Sequence, residues 1–109
     1  MEHKGSQLNK IYSTLHYPGF SGGNGVGSSV TISNVATEFH KYSAIWSSTA
    51  IQFLVDDVPF YSFANTASLP FNQNFFVILN FAMGGNFGGP VDPAFSTATM
   101  EVDYVRVYQ

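Results

Sequence analysis

The chain has 109 residues, which is room for one domain and not for two. Charged residues make up only 10%, while 45% are hydrophobic and 17% aromatic, against roughly 25% charged in ordinary domains. A net charge of −3 with no basic run argues against nucleic acid as a partner. The absence of cysteine excludes disulfides and thiolate metal sites, and the opening MEHKGS holds no apolar stretch of the kind a signal peptide needs.

Eleven Phe and six Tyr are a large apolar load for a body of this size. Small domains leave much of their surface wet. An apolar face that meets a partner, or a cleft lined with aromatic rings, is therefore expected. The longest apolar run, near Phe75, is too short to cross a membrane.

No segment keeps a 3.6-residue period for three turns, and alternation with β-formers dominates. The expected strands, in chain order, are residues 10–16, 29–33, 42–46, 50–55, 59–63, 74–82 and 100–108. Between the first two, residues 18–28 carry SGGNGVG and read as a mobile surface loop. Residues 50–63 read as a hairpin, because Asp56-Asp57 separates two apolar runs and Asp tolerates the left-handed backbone of a tight turn. The run NFFVILNFA at 74–82 is apolar on both faces, as a central strand would be. A second glycine-rich stretch, GGNFGGP, follows at 84–90 and lacks the GK[ST] ending of a phosphate loop. Short strands at this spacing predict an all-β sandwich of two antiparallel sheets with essentially no helix.

Four blocks occur in a telling order: FHKYSAIW, IQFLVDDVPFYSF, FFVILNFAMGGNFGGPVDPAF and the tail MEVDYVRVYQ. In these blocks the chain resembles glycoside hydrolase family 16, most of all its bacterial laminarinases, which are endo-β-1,3-glucanases. The opening MEHKGSQ, followed by STLHYPG, is similar to what comes directly after that family's E-I-D-I-M-E motif. The resemblance covers essentially the whole chain and implies a concanavalin-like jelly-roll β-sandwich with a cleft along its concave sheet. Residues 1–109 would be the C-terminal part of that domain, about half of it, without the N-terminal half.

The resemblance also implies retaining hydrolysis, which needs two carboxyl groups about 5–5.5 Å apart, one a nucleophile and one an acid/base. By its place in the motif Glu2 would be the general acid/base. The nucleophile and the intervening Asp would lie before Met1, so the chain alone is expected to be inactive. The substrate implied is β-glucan, with internal β-1,3 or mixed β-1,3-1,4 bonds, and the location secreted or periplasmic. One departure from the family is Ile45, which stands where many members carry Glu before the Trp of the block ending at Trp46.

The remaining candidates have two readings each. His16 is either a packed strand residue or, by the resemblance, a cleft histidine that hydrogen-bonds a sugar or a carboxylate. Asn80, the one polar side chain in its apolar run, is either a satisfied core amide or a contact to sugar hydroxyls. Asn86 and Phe87, with Phe81 and Met83, would line the end of the cleft, where Gly84-Gly85 lets backbone approach a ligand. His40 reads as structural and Trp46 as core. Asp103 is a half-exposed strand residue, or a carboxylate of the calcium site that family members hold on the convex side. Calcium takes six to eight oxygens, so binding by this chain alone would be weak.

Two further readings stay open. The chain could be a non-catalytic carbohydrate-binding sandwich, or a half-domain that pairs with a complementary chain, its own N-terminal half or a second copy. Unpaired strand edges and the apolar run at 74–82 predict self-association in the absence of that cover.

Overall fold

The computed structural model describes all residues from Met1 to Gln109 and is all-β, with six strands in two three-stranded antiparallel sheets. The first sheet has the order β1-β2-β3, from Glu2–His3, Lys10–Leu15 and Val26–Thr31. The second has the order β4-β5-β6, from Tyr42–Trp46, Ala50–Val55 and Val58–Ala64.

In β2 the alternation of KIYSTL turns Ile11, Ser13 and Leu15 to one face and Tyr12 and Thr14 to the other. Ile11 and Ser13 are buried. Leu15 and Tyr17 pack on the core formed by Ile51, Phe53 and Phe71, together with Phe60, Tyr61, Phe63 and Leu69. The loop expected over 18–28 is shorter than its composition implied. Tyr17 and Phe20 close its start, with Tyr17 N–H donating to the Phe20 carbonyl at 3.0 Å and Phe20 N–H to the Tyr17 carbonyl at 2.8 Å. Their rings stack at 4.6 Å. A single 3-10 turn at Gly22–Asn24 follows, and β3 then begins at Val26 rather than Ser29, ending at Thr31.

Strands β4 and β5 coincide with the expected ranges. The β5–β6 turn has Asp56 at φ 50° and Asp57 at φ 66°, the pair of left-handed residues that a tight two-residue hairpin requires. A bulge between Phe53 and Leu54 leaves Phe60 as the extra residue on β6, since Phe53 faces Tyr61 and Leu54 faces Pro59. Pro59 has no N–H to give to a ladder and is tolerated because β6 is an edge strand.

Two polar clusters fasten this sheet. At one end, the Asp56 carboxylate accepts from His40 Nδ1 at 2.7 Å and from the Lys41 backbone N–H at 2.9 Å, while Lys41 Nζ lies 2.5 Å from Asp57. At the other, buried Asn65 donates through Nδ2 to the Ser47 carbonyl at 2.8 Å, and its own oxygen accepts from Thr66 N–H at 3.0 Å. His40 is thus structural, as read. Trp46 is not core: it is 45% exposed and meets Phe75 edge-on at 5.1 Å, because β4 is the open edge of its sheet.

The chain divides into two compact units, Met1–Phe76 and Val77–Gln109. All six strands belong to the first. Within the second, only a four-residue helical turn, α1 (Gly85–Gly88), is regular. Residues 74–82 and 100–108, expected as strands, are not strands. The reason is that a strand exists through its ladder, and no strand formed here pairs with either run. Alternation and apolar content specify a face to be covered but supply no hydrogen-bonding partner. Asn80 is accordingly exposed rather than a buried amide. No helix is long and apolar enough to cross a membrane.

The His40–Asp56 contact makes stability depend on pH. Its hydrogen bond to Asp56 is the main cause that lifts His40 above 6.5, against a smaller lowering by burial. The same bond, then the Lys41 N–H, draws Asp56 below 3.8. A raised histidine stabilises fully below 6.5 and loses that contribution as pH climbs through its raised pKa. A depressed aspartate contributes fully above 3.8 and loses it as pH falls through its lowered pKa. His40 is 11% exposed but Asp56 is 49% exposed, so solvent screens the pair and its worth stays within the range of about 0–1 kcal/mol for surface pairs. Asp56→Asn keeps the turn and the Lys41 N–H acceptor but removes the charge. The excess in thermal midpoint of the unaltered chain over this variant should be largest between pH 3.8 and 6.5 and shrink on both sides. A difference that does not vary with pH would refute this account of the contact.

Candidate active site

Glu2 stands on β1 directly opposite Tyr12 of β2, and Tyr12 in turn faces Ser29 of β3. Thr14 lies two residues further along β2, hence on the same face as Tyr12, and is paired with Gly27. Its hydroxyl donates to Glu2 Oε2 at 2.8 Å. His16 follows just past the end of β2 with the same parity. Its ring lies over Gly25 beside Thr14, since a methyl group placed on Gly25 would come 2.5 Å from Thr14 Cγ2 and 2.7 Å from His16 Cε1.

Between β2 and β3 on this sheet is an open groove of about 360 Å³ lined by Tyr12, Ser13, Thr14, Gly25, Gly27, Ser28 and Ser29. Gly27 has no room for a side chain: an added Cβ would collide with the backbone carbonyl oxygen of Ser13. Lys4 Nζ and Lys10 Nζ sit over the Tyr12 ring at 5.5 and 5.1 Å, and the Tyr12 hydroxyl donates to Gln7 Oε1. Glu2 is the one carboxylate that β1, β2 and β3 carry between them.

The structure thus brings two of the expected site residues, Glu2 and His16, to one face of one sheet. Asn80, Asn86, Phe87 and Asp103 belong to the second unit. There Asn86 and Phe87 share the turn α1, and Asn80 and Asp103 lie in its non-strand segments. Thr14 was missed in the sequence, where it read as one more strand residue. The signal available was the T-x-H spacing, which puts Thr14 and His16 on a common face.

No three His, Asp or Glu side chains lie close enough together to hold a metal ion, and Asp103 offers one carboxylate to a cation that takes six to eight oxygens.

The model of the glycosyl hydrolases family 16 matches residues 1–106. The chain belongs to this family. A beta-glucanase from Rhodothermus marinus is 35% identical over all of this chain and 43% of its own length. A glucan endo-1,3-beta-glucosidase from Cryptopygus antarcticus is 34% identical over 96% of this chain and 46% of its own length. The chain therefore spans less than half the length of either relative. Among solved structures, the catalytic domain of an endo-1,3-beta-glucanase (laminarinase) from Thermotoga petrophila RKU-1 shares 24% identity over 52% of this chain and 24% of that one. The TM-score is 0.50, a likeness in fold. The all-β jelly-roll class expected from the sequence is the fold of the family.

Because the carboxylates do not cluster, chelation should leave the chain alone untouched. Its thermal midpoint in EDTA should equal that in millimolar calcium, as read by circular dichroism. A calcium-dependent rise would mean that oxygens other than side-chain carboxylates complete a site.

Proposed function

We propose that this chain supplies the acid/base half of a retaining β-glucan hydrolase. The observation that carries the reading is Glu2 on the groove face of the first sheet, where one of its carboxyl oxygens accepts from the Thr14 hydroxyl; His16 lies on the same face. Two relatives named for β-glucan or β-1,3-glucan cleavage support the substrate class. In the first step Glu2 protonates the glycosidic oxygen as the sugar passes to a nucleophile; in the second it takes a proton from the attacking water. His16 binds a sugar hydroxyl beside it. Asn80, Asn86 and Phe87 are further candidate sugar contacts, and the bonds cleaved are internal β-1,3 or mixed β-1,3-1,4 linkages.

The nucleophile comes from a segment outside these residues. The first sheet has no second carboxylate to place about 5–5.5 Å from Glu2. Exposed apolar surface supports a partner as well. Only six hydrophobic side chains are buried, whereas Ile45, Trp46, Phe75 and Phe76 of the first unit are exposed. A complementary N-terminal half of the same fold, in an enzyme exported from the cell, fits that surface.

Two outcomes test the reading. The chain alone should not hydrolyse laminarin, while mixing it with an N-terminal family 16 segment carrying E-x-D should restore turnover. Glu2→Gln should then lower that turnover on the order of 10²- to 10⁴-fold, the usual contribution of a positioned acid/base. Reducing-sugar release measures both, and robust turnover by the chain alone would overturn the division of labour. In sedimentation across micromolar concentrations the chain alone should self-associate, and the added segment should bring it to the size of a one-to-one complex. A monodisperse monomer with cooperative unfolding would show that no cover is needed.

A further inference from the structure

We infer that Thr14 is a positioning residue for Glu2, and that the bare Cα of Gly25 is what lets it act as one. The inference rests on the acid/base role proposed for Glu2 and adds a residue to it. Three observations lead to it. Thr14 is the diagonal neighbour of Glu2 across the β1–β2 ladder, within reach of a long side chain. Its hydroxyl donates to Glu2 Oε2 at 2.8 Å, a hydrogen bond to an ionisable acceptor and so among the stronger kinds. Its methyl group occupies the space over Gly25, where any Cβ would come within 2.5 Å of it.

A β-branched side chain has few χ1 choices. With the methyl seated over Gly25, the hydroxyl has β1 as its direction, where Glu2 is. The same space takes the His16 ring, whose Nδ1 would be 2.9 Å from a Cβ at Gly25. One absent side chain just before β3 thus fixes two side chains on the face that carries Glu2.

The chemistry suits a group that must be acid in one step and base in the next. A hydroxyl that donates to Oε2 does so whether Glu2 is a carboxylate or a carboxylic acid. In the acid form Oε2 is the carbonyl oxygen, so the proton rests on Oε1, the oxygen that serves the leaving group. A lysine in the place of Thr14 would favour only the carboxylate. Thr14 therefore holds the orientation of the carboxyl group through both halves of the cycle.

The test uses Thr14→Val, which keeps the shape and deletes the hydroxyl, Thr14→Ser, which keeps the hydroxyl, and Gly25→Ala. Each is paired with the N-terminal segment and assayed on laminarin and on a 2,4-dinitrophenyl β-glucoside. The dinitrophenolate leaves without protonation, so kcat/KM on that substrate does not need the acid. Thr14→Val should lower kcat/KM on laminarin roughly tenfold or more, the scale of a misplaced catalytic group, and leave that on the dinitrophenyl substrate unchanged. Thr14→Ser should stay near the parent, while Gly25→Ala, which displaces Thr14 and His16 alike, should lower kcat/KM on both substrates. An equal loss on both substrates in Thr14→Val, or a loss on neither, would overturn the inference.

Glu2→Gln, run alongside, separates the two claims. If it lacks the same selectivity for leaving group, the acid/base role of Glu2 falls. If it has that selectivity and Thr14→Val does not, only the positioning role falls. A second reading needs no turnover: the side-chain carboxyl carbon resonance of Glu2 in the chain alone at neutral pH. It should move in Thr14→Val and hold in Thr14→Ser, and an unmoved resonance in Thr14→Val would sink the hydrogen bond itself.

Discussion

Strand β5 is hydrogen-bonded along both edges and carries four of the six buried apolar side chains, Ile51, Phe53, Leu54 and Val55. A core this small leaves little redundancy, since each large buried side chain contributes roughly 1.5–3 kcal/mol. The polar fastenings stand at the two ends of that strand: the His40–Asp56 contact beyond Val55 and the Asn65–Ser47 contact beyond Ala50. Both tie neighbouring segments to the ladder by hydrogen bonds, where few apolar contacts are available to do it.

The candidate site depends on the same strand through β2. Leu15 and Tyr17 rest on the Ile51, Phe53 and Phe71 cluster, and strict alternation then turns Tyr12, Thr14 and His16 the other way. A slip of one residue in β2 would exchange the two sets, placing a threonine and a histidine in the core and a leucine on the groove. Packing on one side of the sheet thereby fixes the chemistry on the other. Glu2, the acid/base of the proposed reading, arrives on that face beside Thr14.

What could be read in advance follows from where the information sits. The β5–β6 hairpin was legible because Asp56-Asp57 states its turn locally and the flanking runs state their partner by adjacency. The strands β4 and β5 were legible for the same reason. The apolar runs at 74–82 and 100–108 were misread as strands because their partners, unlike a hairpin's, are not next to them in the chain. Trp46 was misread because an edge strand exposes side chains that its composition alone would bury. Thr14 was invisible because its role needs the register of β1 on β2 and the gap over Gly25, and neither is a property of residue 14. The resemblance offered Glu2 and His16 as candidates, while the hydrogen bond that joins Glu2 to β2 is visible only in the structure.

The two edges of the second sheet are not equivalent. Edge strand β6 carries Pro59 and a bulge, and β3 runs close to it. Edge strand β4, YSAIW, has neither proline nor charge, and its backbone is regular from Tyr42 to Trp46. Of the two margins of this ladder, β4 is therefore the one whose row of backbone donors and acceptors no proline, bulge or charge interrupts.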